Sequence, residues 1–111
     1  METISLDKLT RELEETLLRK NVLTKDTSSK ARRCYILCAC GDAYAATGEL
    51  DENMAVYTDE EVAAADIVLR ALLYVQSLDV PGGIDELLTQ RADYLCAHGR
   101  LVMYTPPDAE E

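Results

Sequence analysis

The sequence contains no tryptophan and no phenylalanine, so tyrosine supplies all six of its aromatic side chains. Proline occurs three times and glycine five times in 111 residues, which is too little for long flexible linkers. A single histidine, His98, has no serine or cysteine motif beside it that would define a catalytic triad. Because apolar residues make up 48% of the chain, the composition favours one folded domain over a disordered chain.

Long apolar runs and secretion signals are also missing. No run approaches the roughly 18–20 residues that would cross a bilayer. The N-terminus lacks the basic start and apolar stretch of a secretory signal. Three of the four cysteines, Cys34, Cys38 and Cys40, lie close together and Cys96 lies far downstream, unlike the framework of a secreted disulfide scaffold. We therefore expect a cytoplasmic protein with free thiols and no membrane contact.

Positive charge is scarce after residue 33. Residues 34–111 hold three basic and fifteen acidic residues, whereas residues 1–33 hold eight basic and six acidic ones. The net charge of −10 therefore comes from the later part of the chain. Such a surface repels nucleic acid and anionic lipid and attracts basic protein surfaces. The sequence predicts a protein partner with a basic or amphipathic surface and no direct nucleic-acid binding, unless the acidity serves solubility alone.

The first two predicted helices distribute their apolar residues differently. The first spans about 6–20, follows Ser5 as N-cap and carries leucines at steps of three and four, as an amphipathic helix does. The second spans about 30–47 and is apolar nearly all round, which predicts burial on most sides. A stripe of small residues runs along it: Cys34, Cys38, Gly41 and Ala45. We expect a neighbouring backbone to pack closely on this stripe, with Gly41 at the helix crossing.

The third and fourth predicted helices have clear boundaries. The third spans about 58–78 and starts with a capping box, in which Thr58 and Glu61 each bond the other's backbone N–H. The fourth spans about 84–98, after the turn residues Pro81, Gly82 and Gly83. Its predicted apolar face consists of Leu87, Leu88, Ala92 and Leu95.

These elements predict an all-α fold. Four helices with short connections favour a small antiparallel bundle with helices two and three at its centre. The segment between those two helices is either an ordered loop or a short fifth helix. The predicted helical domain covers residues 1–105, and residues 106–111 form a disordered acidic tail.

The stretch CGDAYAATGELDE, residues 40–52, resembles the middle of a tetratricopeptide repeat, with glycine, tyrosine and a second glycine at that family's spacing. The resemblance implies a helix–turn–helix unit and covers about a dozen residues. The sequence departs from the repeat at Asn53, where the family has alanine, and at Thr58, whose capping box interrupts the second helix. Because no second copy follows at a period of about 34 residues, we interpret the match as helix–turn chemistry.

The sequence offers little for catalysis or metal binding. It has no phosphate-cradling glycine loop, metalloprotease helix motif or EF-hand loop, and its carboxylates form no recognisable acid–base pair. We predict no enzyme activity, no catalytic residue, no cofactor and no metal. Asp66 is predicted to pair with Arg70, four residues along the same helix. The cysteines are predicted to pack as small hydrophobes.

Three functions are compatible with these features. The leading hypothesis is a non-enzymatic, acidic, helical protein-binding module: an adaptor, an inhibitor or a small chaperone. The predicted partner-binding residues combine acids with tyrosines, which suit half-buried contacts: Asp42, Tyr44, Glu49, Asp51, Glu52, Tyr57, Asp59 and Glu60. One alternative is a nucleic-acid mimic that inhibits a DNA- or RNA-binding protein, as some phage-encoded anti-defence proteins do, because acidic helix faces can present carboxylates to a basic groove. Another is a metal- or redox-responsive regulator that uses Cys34, Cys38 and Cys96. Helix one, with its different charge balance, is predicted to mediate any homodimer.

Overall fold

A computed structural model describes residues 5–98, and this part of the chain forms four α-helices. The helices are α1 (Leu6–Arg19), α2 (Ser29–Ala45), α3 (Asp59–Ser77) and α4 (Gly83–His98). Helices make up 70% of the described residues, among which there are no strands. The predicted all-α bundle is confirmed. Predictions for residues 99–111, including the acidic tail, lie outside the described residues.

The helix starts follow the predicted capping chemistry. The side-chain oxygen of Ser5 accepts from the Lys8 N–H, and that of Ser28 accepts from the Ala31 N–H. Thr58 and Glu61 form both bonds of the predicted capping box at the start of α3. Each bond satisfies a backbone N–H that the first helical turn leaves without a partner.

The segment between α2 and α3 is an ordered loop. A single antiparallel bridge joins Leu50 to Thr58, and the Asp51 N–H donates to the Tyr57 carbonyl at 2.9 Å. The second helix implied by the tetratricopeptide resemblance is therefore absent from this segment, and the next helix begins only at Asp59.

The third helix is the centre of the bundle. It packs against the other three helices, and its contact with α2 is the most extensive. The first and fourth helices also contact each other, whereas α2 and α4 do not meet. No helix in the described range combines the length and apolar character needed to cross a membrane. The apolar residues with little exposure are few: Leu23, Ala39, Ala63, Leu72, Leu73 and Ile84.

The second helix is much more exposed than predicted. Only Arg32 and Ala39 of its seventeen residues are buried. All four cysteines are exposed, so the prediction that they pack in the core is wrong. Gly41 is exposed too, and a Cβ built on it would meet nothing within 4 Å, so the predicted helix crossing at Gly41 is also wrong. A helix that is apolar all round has no periodicity to indicate which face turns inward.

The contact that was predicted at Gly41 lies instead at Ala39, which has no exposed surface. Replacing Ala39 with leucine should overpack the α2–α3 interface and lower the free energy of unfolding by about 1–3 kcal/mol. The matched control is Gly41→Leu, two residues away, which should not lower the free energy of unfolding. It should raise it by up to about 1 kcal/mol, because leucine has a higher helix propensity than glycine. Urea titrations of both variants test this, and equal stability of the two would contradict the assigned inner face.

The starts of α1 and α4 cap each other. The carboxylate of Asp85 accepts from the backbone N–H groups of Leu6 and Asp7 and from the Ser5 hydroxyl. The carboxylate of Asp7 accepts in return from the N–H groups of Ile84 and Asp85, at 2.6 and 2.9 Å. The bonds from Leu6 and Ser5 hold the pKa of Asp85 below its ordinary value of 3.8. This reciprocal arrangement fixes α4 to α1 at their first turns.

Beyond this junction, α4 is loosely covered. Only Ile84 is buried, and the expected apolar face is open, with Leu87 and Leu88 about two-fifths exposed. The Arg91 guanidinium lies 5.0 Å from the ring centre of Tyr94, which also contacts the ring of His98. His98 is exposed and takes part in this surface cluster.

A buried arginine joins three of the helices. Arg32 of α2 donates to the Glu14 carboxylate of α1 at 2.6 Å and to the Leu73 carbonyl of α3 at 2.8 Å. Its side chain is 9% exposed, and that of Glu14 is 23% exposed. Within the described residues this is the one ion pair shorter than 4.0 Å.

Candidate functional site

An apolar groove lies between α1 and α2, with α3 as its floor. The groove exists because α1 and α2 both pack on α3 but make no backbone contact with each other. The groove has a volume of about 440 Å³. Its lining, which we call the leucine groove, consists of Leu13, Leu17, Val22, Leu23, Tyr35, Asp66, Leu69, Arg70 and Leu73.

The leucine stripe of α1 forms one wall of this groove. Leu13 and Leu17 are half-buried rather than enclosed, and Leu9 of the same stripe is 39% exposed. Val22, just after the helix, is 65% exposed at the edge of the groove. Much of this apolar surface therefore stays exposed to solvent in the single chain.

A second depression continues the groove along α3. It measures about 480 Å³, and we call it the tyrosine hollow. Its lining residues are Met54, Tyr57, Glu61, Val62, Ala65, Asp66 and Leu69. Because Asp66 and Leu69 line both depressions, the two are neighbours along α3 with a carboxylate at their border, and we call the pair the trough.

An acidic cleft of about 310 Å³ opens beside the trough. Four aspartates line it together with small apolar residues: Asp42, Asp51, Asp59 and Asp66. Asp66 thus borders all three depressions. The side chain of Asp66 has no hydrogen bond or ion pair to any other described residue, so its carboxylate is available at the junction.

Two of the four aspartates hold the loop between α2 and α3. The Asp59 carboxylate accepts from the N–H groups of Thr47 and Gly48, both at 2.8 Å, and the bond from Thr47 is the largest influence that lowers the pKa of Asp59. Asp51 accepts from the N–H groups of Asn53 and Met54. These two carboxylates shape the cleft, whereas Asp42 is exposed and makes no hydrogen bond to the described residues.

The predicted ion pair between Asp66 and Arg70 is wrong. Arg70 donates instead to the backbone carbonyl of Tyr35 at 2.9 Å, across the α2–α3 interface. The spacing of four residues allows an intrahelical pair, but here the longer arginine side chain reaches a carbonyl on the neighbouring helix. Asp66 is left facing the trough and the acidic cleft.

The predicted partner-binding residues lie at one end of the bundle but have different roles. Tyr57 lines the tyrosine hollow, and Asp42, Asp51 and Asp59 line the acidic cleft. The remaining four are exposed and lie outside these depressions: Tyr44, Glu49, Glu52 and Glu60.

Sequence reasoning missed the groove residues Val22, Tyr35, Met54 and Leu69. Val22 and Leu23 are two adjacent apolar residues in the otherwise polar connector between α1 and α2, and this pattern is the sequence signal for a contact there.

The cysteines do not gather at one site. Cys34 and Cys38 lie one turn apart on the outside of α2, and Cys96 belongs to α4, which does not meet α2. Within residues 5–98, no three metal-ligating side chains form a group that could hold a metal ion. The structure therefore does not bring Cys96 together with Cys34 and Cys38, the three cysteines of the metal- or redox-responsive alternative.

Comparison with known proteins gives no relative for this chain. No family model matches the sequence, and neither the curated proteins nor the solved structures include a significant match.

Proposed function

We propose that this chain is a non-enzymatic protein-binding module that takes an amphipathic, basic helix of a protein partner into the trough along α3. The observation that carries the proposal is that two neighbouring apolar depressions, the leucine groove and the tyrosine hollow, share Asp66 and Leu69 along α3. Helix-binding proteins commonly lay the apolar face of a partner helix into such a groove. An adaptor, an inhibitor or a small chaperone could each work in this way.

Charge supports a basic partner. Asp66 lies in the middle of the trough, Glu61 lines the hollow, and the acidic cleft opens alongside. A helix with leucines on one face and lysines or arginines on its edge would place its cations against these carboxylates. Complementary charge of this kind raises the association rate more than the final affinity.

The test uses a synthetic peptide that combines a leucine face with a lysine face, measured by fluorescence anisotropy. Val22→Arg in the leucine groove and Met54→Arg in the tyrosine hollow should each weaken binding by about tenfold or more, since one lost apolar anchor is worth roughly 1.4 kcal/mol. Both positions are more than half exposed, so neither change should unfold the chain.

The matched control is Val56→Arg, at a valine that is 86% exposed and lines neither depression. It adds the same charge but should change the affinity by less than about twofold, because an exposed apolar residue outside the contact contributes little. Equal weakening by all three variants would mean that the peptide senses only net charge, and the trough would be rejected as the binding site.

The charge component can be isolated in the same assay. Replacing the exposed Glu49, Glu52 and Glu60 with lysine should slow association and leave the fold intact, because their side chains make no hydrogen bonds to other described residues. Asp51 is left unchanged because it holds the turn at Asn53 and Met54. The association rate should also fall with added salt, as the Debye length shrinks from ~10 Å at 0.1 M to ~3 Å at 1 M.

The alternatives make different predictions in this assay. A nucleic-acid mimic would bind the DNA-binding surface of its target through carboxylates, but two of the four in the acidic cleft are occupied by loop N–H groups. The affinity of such a mimic for its target should not change with Val22→Arg, because Val22 lies in the leucine groove and not in the acidic cleft. A homodimer through helix one would cover the leucine groove, so peptide binding would then compete with self-association.

A further inference from the structure

The two depressions of the trough carry opposite charge. Residues 49–66 contain seven acidic residues and no basic one, and they supply six of the seven residues that line the tyrosine hollow. Residues 16–35 contain six basic residues and one acidic residue, and they supply four of the nine residues that line the leucine groove. One of these bases, Arg32, is paired with Glu14. The hollow is therefore the acidic end of the trough, and the groove is its basic end.

The third helix carries the same charge order within the lining itself. The charged residues of α3 that line the trough are, from hollow to groove, Glu61, Asp66 and Arg70. The apolar residues of α3 between them share one side of the helix: Val62, Ala65, Leu69 and Leu73. From Glu61 to Leu73 the helix rises about 18 Å, so a partner helix of about twelve residues is long enough to contact both ends.

We propose that the partner helix is bipolar, with its cations at one end and its anions at the other. Its cationic end lies over the tyrosine hollow, and its anionic end lies over the leucine groove. The inference rests on the proposed function, because it concerns the partner helix of the same site, and it adds the order of charges along that helix. A bipolar helix placed the other way round would set like charges together, so charge also fixes its direction in the trough.

The basic end has cations that are free to meet an anionic segment. Lys20 follows Leu17 by three positions, so it extends the leucine stripe of α1 by one turn. Lys20 and Lys25 are exposed, and their side chains make no hydrogen bond or ion pair with any other described residue. Arg70 lines the groove as well, although its guanidinium also donates to the Tyr35 carbonyl. Anions of a partner helix would therefore meet unpaired ammonium groups at this end.

Three synthetic peptides of identical composition test the order of charges. Each is about eighteen residues long, or roughly 27 Å as a helix, with one leucine face and equal numbers of lysines and glutamates. The first has all its lysines in the N-terminal half, the second has them in the C-terminal half, and the third alternates the two charges. In fluorescence anisotropy, both bipolar peptides should bind about fivefold more tightly than the alternating one. At about 1 M salt, where the Debye length is ~3 Å, this preference should disappear.

Charge reversal at the basic end separates this effect from differences in helicity among the free peptides. Lys20→Glu combined with Lys25→Glu should reduce the preference for the bipolar peptides to less than about twofold, because the groove end then lacks its free cations. The matched control is Lys8→Glu combined with Arg11→Glu, which makes the same change in net charge at exposed residues near the start of α1. It should keep the preference of the wild type. Circular dichroism of both variants confirms that the helices are retained.

Cross-linking locates each end of the bound peptide. Variants with serine at all four native cysteines, which are exposed, carry one new cysteine: Met54→Cys in the hollow or Val22→Cys in the groove. An iodoacetyl group is attached to one end of a bipolar peptide, and the cysteine thiolate displaces iodide from it to form a thioether. On the cationic end, the group should alkylate the Met54→Cys variant about fivefold faster than the Val22→Cys variant, because binding raises its local concentration there. On the anionic end, the order of rates should reverse.

Three results would overturn the proposal: equal affinity of the bipolar and alternating peptides, a preference that survives the double reversal of Lys20 and Lys25, or alkylation rates that do not depend on which end carries the iodoacetyl group. The proposed function would survive each of them as long as Val22→Arg and Met54→Arg still weaken binding. Loss of that sensitivity would instead reject the trough as the binding site, and this inference with it.

Discussion

Replacing Glu14 with alanine should lower the free energy of unfolding by about 2–4 kcal/mol, although the change removes a single ion pair, the one with Arg32. Glu14 is the carboxylate partner of Arg32, whose guanidinium lies at the meeting point of α1, α2 and α3. Without it, a buried positive charge would keep only the Leu73 carbonyl as a partner. The Arg32 Nε atom already has no hydrogen-bond partner among the described residues. A decrease of this size should appear as a fall of roughly 10 °C or more in melting temperature.

Two further variants show whether the buried charge is responsible. Glu15→Ala, at the exposed next position, should change the stability by less than about 0.5 kcal/mol. The double change Glu14→Leu with Arg32→Met should recover most of the loss, because replacing both members of a buried pair with apolar residues of similar volume is often neutral or stabilising. If the double variant is as unstable as Glu14→Ala alone, the cost comes from lost packing and not from an unpaired charge.

The helices could be predicted from the sequence because their signals are local. The N-cap at Ser5 and the capping box at Thr58 involve residues three apart, and both form as expected. The apolar spacing of α1 gave the helix and its leucine stripe correctly. Such patterns need no knowledge of which helices become neighbours.

Which face of each helix is covered could not be predicted in the same way. The second helix is apolar on nearly all sides, so the pattern does not indicate that Arg32 and Ala39 face inward. For the same reason the prediction that its cysteines lie in the core is wrong. Arginine is rarely buried without a partner, and the partner of Arg32 is Glu14, which lies on another helix. The sequence of α2 alone therefore cannot predict that Arg32 is buried. Likewise, the trough depends on α1 and α2 lying apart on α3, which is a tertiary property.

The mutual capping of α1 and α4 was also beyond sequence reasoning. Asp7 and Asp85 are each acidic residues in a first helical turn, where an aspartate is favoured for local reasons. That each reaches the other helix depends on a contact between residues almost eighty positions apart. The predicted turn before α4 is confirmed, but the sequence does not show that Gly83 lies against Asp7 with no room for a side chain.

Of the four glycines that the structure describes, Gly83 should tolerate alanine least, and Gly83→Ala should lower the free energy of unfolding by about 2–4 kcal/mol. Gly83 has a φ of +88°, where a side chain costs about 1–2 kcal/mol. Its Cβ would also lie 2.8 Å from the Asp7 Oδ1 atom, which accepts the Ile84 N–H. The methyl group would therefore displace the carboxylate that caps α4.

A second glycine separates these two costs. Gly48 has a φ of +87°, and a Cβ on it would meet nothing within 4 Å, so Gly48→Ala should cost only the backbone term of about 1–2 kcal/mol. The excess for Gly83→Ala measures the lost cap. In an Asp7→Ala background that excess should disappear, because the carboxylate is no longer there to be displaced and the two effects are not additive. Urea titrations of the four variants give the comparison. If Gly83→Ala and Gly48→Ala cost the same, displacing the Asp7 carboxylate has no measurable cost, and the cap that Asp7 provides to the N–H groups of Ile84 and Asp85 does not stabilise the fold.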